Sequence, residues 1–119
     1  MNYSISEKRE LTQTEKKFLD YLFLNKKPEW TNLTKKLKVI AKCGCGKCPT
    51  IMFGENFESE VQENEKLRID YVGKSKNGEL IGISLFGTEQ MPTELEFYSI
   101  DGNSEIIEIP KIETLESIK

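Results

Sequence analysis

The chain has 119 residues, a formal net charge of −3 and no histidine. That length suits one domain with one core, and no stretch approaches the ~20 apolar residues of a membrane span. Without histidine the chain lacks the commonest general base, the Cys–His and Ser–His–Asp nucleophile arrangements, and the commonest nitrogen ligand for metals. The charge divides along the chain. Residues 1–54 hold 11 Lys or Arg against 5 Asp or Glu, and residues 55–119 hold 6 against 15.

Residues 1–10 show no periodicity and are expected as a frayed arm. They also lack a basic stretch followed by an apolar run, so no secretory leader is expected and the protein is read as cytoplasmic. Thr12-Gln13-Thr14-Glu15 matches a capping box, and Phe18, Leu19, Leu22 and Phe23 follow at helical spacing, which predicts a helix over 13–24. Pro28 suits the first turn of a second helix, predicted over 29–38 from Trp30, Leu33 and Leu37. Lysines on the opposite faces of both helices read as solvated surface, and no nucleic-acid recognition motif accompanies them.

The pattern then changes to strands. Val39-Ile40-Ala41 leads into a cysteine loop and Ile51-Met52-Phe53 leads out of it, stopped by Gly54. Residues 55–65 are polar and acidic and read as a loop. Alternation predicts a strand over 66–74. Lys76-Asn77-Gly78-Glu79 signals a type I′ hairpin, and the nearly continuous apolar run Leu80–Phe86 predicts a central strand buried on both faces. Glu94–Ser99 alternates, with Leu95 and Phe97 inward and Glu94, Glu96 and Tyr98 on the other side. A last strand is expected over 106–109, stopped by Pro110, and a helical turn around Ile112, Leu115 and Ile118. The expectation is one α+β domain over 1–119, with two N-terminal helices packed on one face of a four- to five-stranded, mainly antiparallel sheet.

All three cysteines, Cys43, Cys45 and Cys48, fall within six residues. Thiolates favour zinc, but three ligands leave a fourth to a carboxylate such as Glu55, to water or to a second chain. Cys45-Gly46-Lys47-Cys48 has redox spacing, yet a strand pattern follows it where a thioredoxin-like site has a helix. The plainer reading is a tight connection between two strands, with glycines supplying the turn and cysteines serving as small apolar side chains.

The segment Cys43-Gly44-Cys45-Gly46-Lys47-Cys48-Pro49-Thr50-Ile51, together with Thr93-Glu94-Leu95-Glu96-Phe97-Tyr98 and the later Ile109-Pro110, resembles a family of small uncharacterised bacterial proteins. Their loop reads Cys-x-Cys-Gly-(x)-Cys-Pro-Ser/Thr-Ile, with the bracketed residue optional. Lys47 is a departure, since many relatives join the glycine directly to the last cysteine. The resemblance implies no catalytic residues. It implies toxin immunity, that is, binding and occluding a cognate toxin domain. On that reading the protein is a non-enzymatic protein-binding module. Glu94, Glu96, Glu105 and Glu108, with Tyr98 as aromatic anchor, would form an acidic face that complements a basic toxin. The alternative is a small zinc-thiolate domain that uses Cys43, Cys45 and Cys48. Neither reading requires another cofactor, nucleic acid or a membrane.

Overall fold

The computed structural model describes residues 4–44, 48–61, 66–100, 102, 106 and 108–118. Its centre is a seven-stranded, wholly antiparallel sheet made of β1 (Ser4–Glu10), β2 (Lys38–Cys43), β3 (Ile51–Gly54), β4 (Leu67–Lys74), β5 (Leu80–Gly87), β6 (Pro92–Ser99) and β7 (Glu116–Ser117). The spatial order is β1-β2-β3-β6-β5-β4-β7. Two meanders, β1–β3 and β4–β6, therefore meet along β3 and β6.

One α-helix, α1 (Gln13–Lys26), lies against this sheet. Its capping box forms as predicted: the Glu15 amide donates to Thr12 Oγ1 at 3.1 Å, and Glu15 Oε1 accepts from the Thr12 amide at 2.9 Å. Phe18, Leu19, Leu22 and Phe23 are buried and join Val39, Ile51, Phe53, Tyr71, Ile81, Ile83, Leu85, Leu95 and Phe97 in one core. The Phe18 ring stands 5.5 Å from Phe97, and Tyr21 stands 6.4 Å from Tyr71. A smaller cluster, Ile40, Ala41 and Met52, is separate from this core.

The expected pair of helices is not present. Pro28–Leu33 forms a 3-10 turn, and the chain enters β2 at Lys38. Trp30 and Leu33 at i and i+3 serve a three-residue period as well as a helical one. The Thr31 hydroxyl donates to the Pro28 carbonyl at 2.8 Å, and Thr34 Oγ1 donates to Asp20 Oδ1 at 2.7 Å. The Thr31 bond is local and competes with helix propagation, while the Thr34 bond ties the turn to α1. Trp30 nevertheless enters the core, its ring edge-on to Phe23 at 5.7 Å.

The sheet also exceeds the four or five strands expected. Residues 4–10 are an edge strand, not a frayed arm, paired with β2 from Ser4↔Cys43 to Glu10↔Lys38. Its charges conceal it in the sequence, and charges are what protect an exposed sheet edge. The Arg9 guanidinium anchors it to α1 through two bonds to Glu15, at 2.8 and 2.9 Å. Ile106, Glu108 and Ile109 form no strand, and Ile107 lies outside the described residues. Ile112–Thr114 makes the expected turn in 3-10 form, and β7 then pairs with β4. The β4–β5 hairpin is not type I′. Only Gly78 has positive φ (83°), and its amide donates to the Ser75 carbonyl. That is a type I turn closed by a left-handed glycine.

No helix among the described residues is long and apolar enough to cross a membrane.

Candidate functional site

Antiparallel register puts directly paired residues on the same side of a sheet. Ile81, Ile83 and Leu85 of β5 face α1, so Leu80, Gly82, Ser84 and Phe86 face the other way. Across from them stand Val72, Asp70 and Arg68 on β4 and Tyr98, Glu96 and Glu94 on β6. This outer face has three cross-strand rows: Val72–Gly82–Tyr98, Asp70–Ser84–Glu96 and Arg68–Phe86–Glu94.

The rows are tied together. Arg68 Nε donates to Asp70 Oδ1 at 3.0 Å and Arg68 Nη2 to Ser84 Oγ at 3.4 Å, while Ser84 Oγ donates to the same Asp70 oxygen at 2.6 Å. The guanidinium lies 5.4 Å from the Phe86 ring centre, a cation–π distance. The hydrogen bond to Asp70 raises the Arg68 pKa most, and Tyr98 adds to the shift. Burial alone would raise the Asp70 pKa, but Ser84 and Arg68 outweigh it and hold it below the ordinary carboxylate value. The Tyr98 ring lies across Gly82: a Cβ added there would fall 2.2 Å from Tyr98 Cζ. Glycine is needed here for close approach.

The same face is rimmed by apolar side chains. Leu80 and Ile100 are each 45% exposed and Ile118 is 47% exposed. The Ile100 amide donates to the Leu80 carbonyl, and the Ile118 amide to the Asp70 carbonyl. Those bonds extend the strand alternation, so all three side chains fall on the outer side.

The residues singled out from the sequence separate in the structure. Glu96 and Tyr98 are half-buried on this face. Glu94 shares the alternation but is only 5% exposed, beside Met52 and Phe86 in register. Glu108 lies elsewhere, exposed, 3.2 Å from Lys76. Glu105 is outside the described residues. Among the described residues this face is mixed: Arg68 and Asp70 offset each other, and Glu96 is a half-buried acid. Arg68, Asp70, Gly82 and Phe86 were missed. The alternation that places Arg68 and Asp70 on one side of β4 was legible, whereas that of β5 was hidden because the strand reads as apolar throughout.

Cys43 ends β2 and Cys48 precedes β3, both half-buried; Cys45 lies outside the described residues. The Cys43 amide donates to the Thr50 carbonyl at 3.1 Å, closing the hairpin. Among the described residues no group of three or more His, Cys, Asp or Glu side chains is placed to hold a metal ion. The sequence motif has a structural use: Thr50 Oγ1, fully buried, accepts from the Phe97 amide at 2.9 Å and so pins β3 to β6 where the two meanders meet.

No family model, curated protein or solved structure matches the chain. A functional reading rests on the outer face and its chemistry. Ser84 and Asp70 are hydrogen-bonded, but Ser84 is fully buried and no histidine exists to activate it. That pair is a strut between strands.

Proposed function

We propose that this chain is a non-enzymatic protein-binding module that engages its partner through the outer face of the sheet. The observation that carries the reading is the convergence of Tyr98, Phe86 and Arg68 with exposed Leu80, Ile100 and Ile118 on one strand-built surface. Tyrosine and arginine dominate binding hot spots, and apolar side chains gathered on one face mark interaction sites more than scattered ones do. Tyr98 is braced on Gly82 and Arg68 on Asp70, so little side-chain freedom remains to be lost on association. Glu96, in the middle row, suits a basic group on the partner.

The more specific reading is toxin immunity, which rests on the family resemblance of the Cys43–Ile51 and Thr93–Tyr98 segments. The test is co-expression with toxin domains encoded beside the gene, followed by calorimetry with purified partners. Binding by the unaltered protein, and a loss of about 30-fold in Tyr98→Ala and Glu96→Lys with unfolding temperatures unchanged, is expected. Full affinity in both variants overturns the face assignment. Absence of binding to every neighbouring toxin domain overturns the immunity reading.

A further inference from the structure

β1 is fastened to the molecule differently from strands β2 to β6. Each of those sends at least one side chain into the main core, but no residue of Ser4–Glu10 does so, and the one large apolar side chain there, Ile5, is 38% exposed. Backbone pairing with β2 and a chain of charges hold β1 in place. Arg9 Nη1 and Nη2 each donate to one carboxylate oxygen of Glu15 on α1. Arg9 Nε donates to Glu7 Oε2 at 2.9 Å, and Lys42 Nζ stands 3.1 Å from Glu7 Oε1. Lys38 Nζ donates to Glu10 Oε1 at 2.7 Å, and Lys8 Nζ donates to the Phe57 carbonyl. The pairing itself is interrupted: the register shifts between Ser6 and Arg9, which leaves two short grips, Ser4–Ser6 and Arg9–Glu10.

Water can replace hydrogen bonds and ion pairs at a surface, so such fastenings contribute little individually. Elements with few buried apolar contacts open at lower cost than the whole fold. The capping box lets an opening stop at α1. Glu15 Oε1 also accepts from the Thr12 amide, and Thr12 Oγ1 accepts from the Glu15 amide, so the helix start keeps its partners without β1. Leu11, 5% exposed and part of the core, marks where the strand joins the body of the protein. Of the charged contacts, Arg9–Glu15 is the most enclosed, with the Glu15 side chain only 7% exposed.

We propose that β1 is a strap that releases as one unit, hinged between Glu10 and Leu11 and latched by Arg9 on Glu15, while α1 and the other strands stay folded. Release uncovers the edge of β2, where Val39, Ile40 and Ala41 carry no charge. An unpaired, uncharged edge is a template for an added strand, so the strap governs whether β2 can pair with another chain. The proposal is independent of the outer face.

The test is native-state amide hydrogen exchange of the full chain, read residue by residue by NMR. The protected amides of β1 should share one opening constant, about 100-fold or more larger than that of β5 and β6. Ile83→Val, a mild change at a fully buried site, should speed exchange in β5 and β6 by about fivefold. It should leave β1 unchanged, because the contacts of Ile83 survive when only the strap opens. Arg9→Gln keeps the Thr12–Glu15 cap and should speed exchange by about tenfold along the whole of β1, at the Ser4–Ser6 grip as much as at Glu10. Protection that falls steadily toward Ser4, with the Arg9→Gln effect confined to its neighbours, would show fraying one residue at a time and overturn the proposal. An equal effect of Ile83→Val on β1 and β5 would show that β1 opens only with the whole molecule, and unchanged β1 exchange in Arg9→Gln would remove the latch; either result also overturns it.

Discussion

Alternate residues of the same strands build two unlike surfaces. On β5, Ile81, Ile83 and Leu85 are buried against α1, while Leu80 reaches solvent and Phe86 is half-buried beneath Arg68. On β6, Leu95 and Phe97 enter the core, while Glu96 and Tyr98 remain half-exposed. The helix side is held by apolar area removed from water. The outer side is held by directional contacts: the Arg68–Asp70–Ser84 bonds and the Tyr98 ring on Gly82. Non-directional burial tolerates small shifts in position, whereas hydrogen-bonded and stacked groups fix geometry. The first kind of surface suits a core and the second suits recognition.

The largest expected effect tests whether the two sides really differ in this way. Leu22 is fully buried under the helix, and Leu22→Ala should cost about 3 kcal/mol in denaturant unfolding. Leu80→Ala, on the other side of the sheet, should change stability by no more than about 0.5 kcal/mol. A comparable loss in both would mean that the outer face is a covered core in solution and would remove it as a docking surface.

How much of this was legible follows the same division. Phe18, Leu19, Leu22 and Phe23, the capping box at Thr12, and the strands β4 to β6 are local patterns, and local patterns survive in a single sequence. The second helix failed because Trp30 and Leu33 fit two periods at once. β1 was hidden because an edge strand protected by Glu7, Lys8, Arg9 and Glu10 carries no apolar alternation. The role of Thr50 was unreadable because its partner, Phe97, lies 47 residues away. Glu94 and Glu96 are chemically identical in the sequence; their different burial depends on which strands flank them, and that is a property of sheet order.

A smaller effect compares one carboxylate from each side by pH. Burial raises the Glu15 pKa, but Arg9 and the Thr12 amide lower it more, so the net shift is downward. Asp70 is also shifted downward. Each group therefore adds stability above its unfolded pKa, about 4.3 for Glu and 3.9 for Asp, and loses it as pH falls through the lower folded value. Glu15→Gln should cost about 1–2 kcal/mol at pH 7 and flatten the acid limb of the stability profile. Asp70→Asn, at a more exposed site, should flatten it less. Urea midpoints measured from pH 7 down to pH 2 separate the two; equal flattening would show that the outer network is as shielded from water as the partly buried Arg9–Glu15 pair.

The smallest expected change in stability carries the most information about recognition. Gly82 does not have positive φ, so its backbone accepts alanine, and leaving glycine within a strand favours the folded state by roughly 0.5 kcal/mol. Against that, the new Cβ would meet the Tyr98 ring at 2.2 Å and force it from its seat, with loss of the packing between them. The opposing contributions should leave Gly82→Ala within about 0.5 kcal/mol of the unaltered protein, while altered chemical shifts at Val72 and Ser84 report the displaced ring. If preorganisation of Tyr98 is what the outer face offers a partner, affinity should fall nearly as far as in Tyr98→Ala, although every contacting side chain is still present. If Gly82→Ala binds as tightly as the unaltered protein, then the identity of Tyr98 matters and its seat does not, and the bracing of this face would be a consequence of sheet packing with no part in recognition.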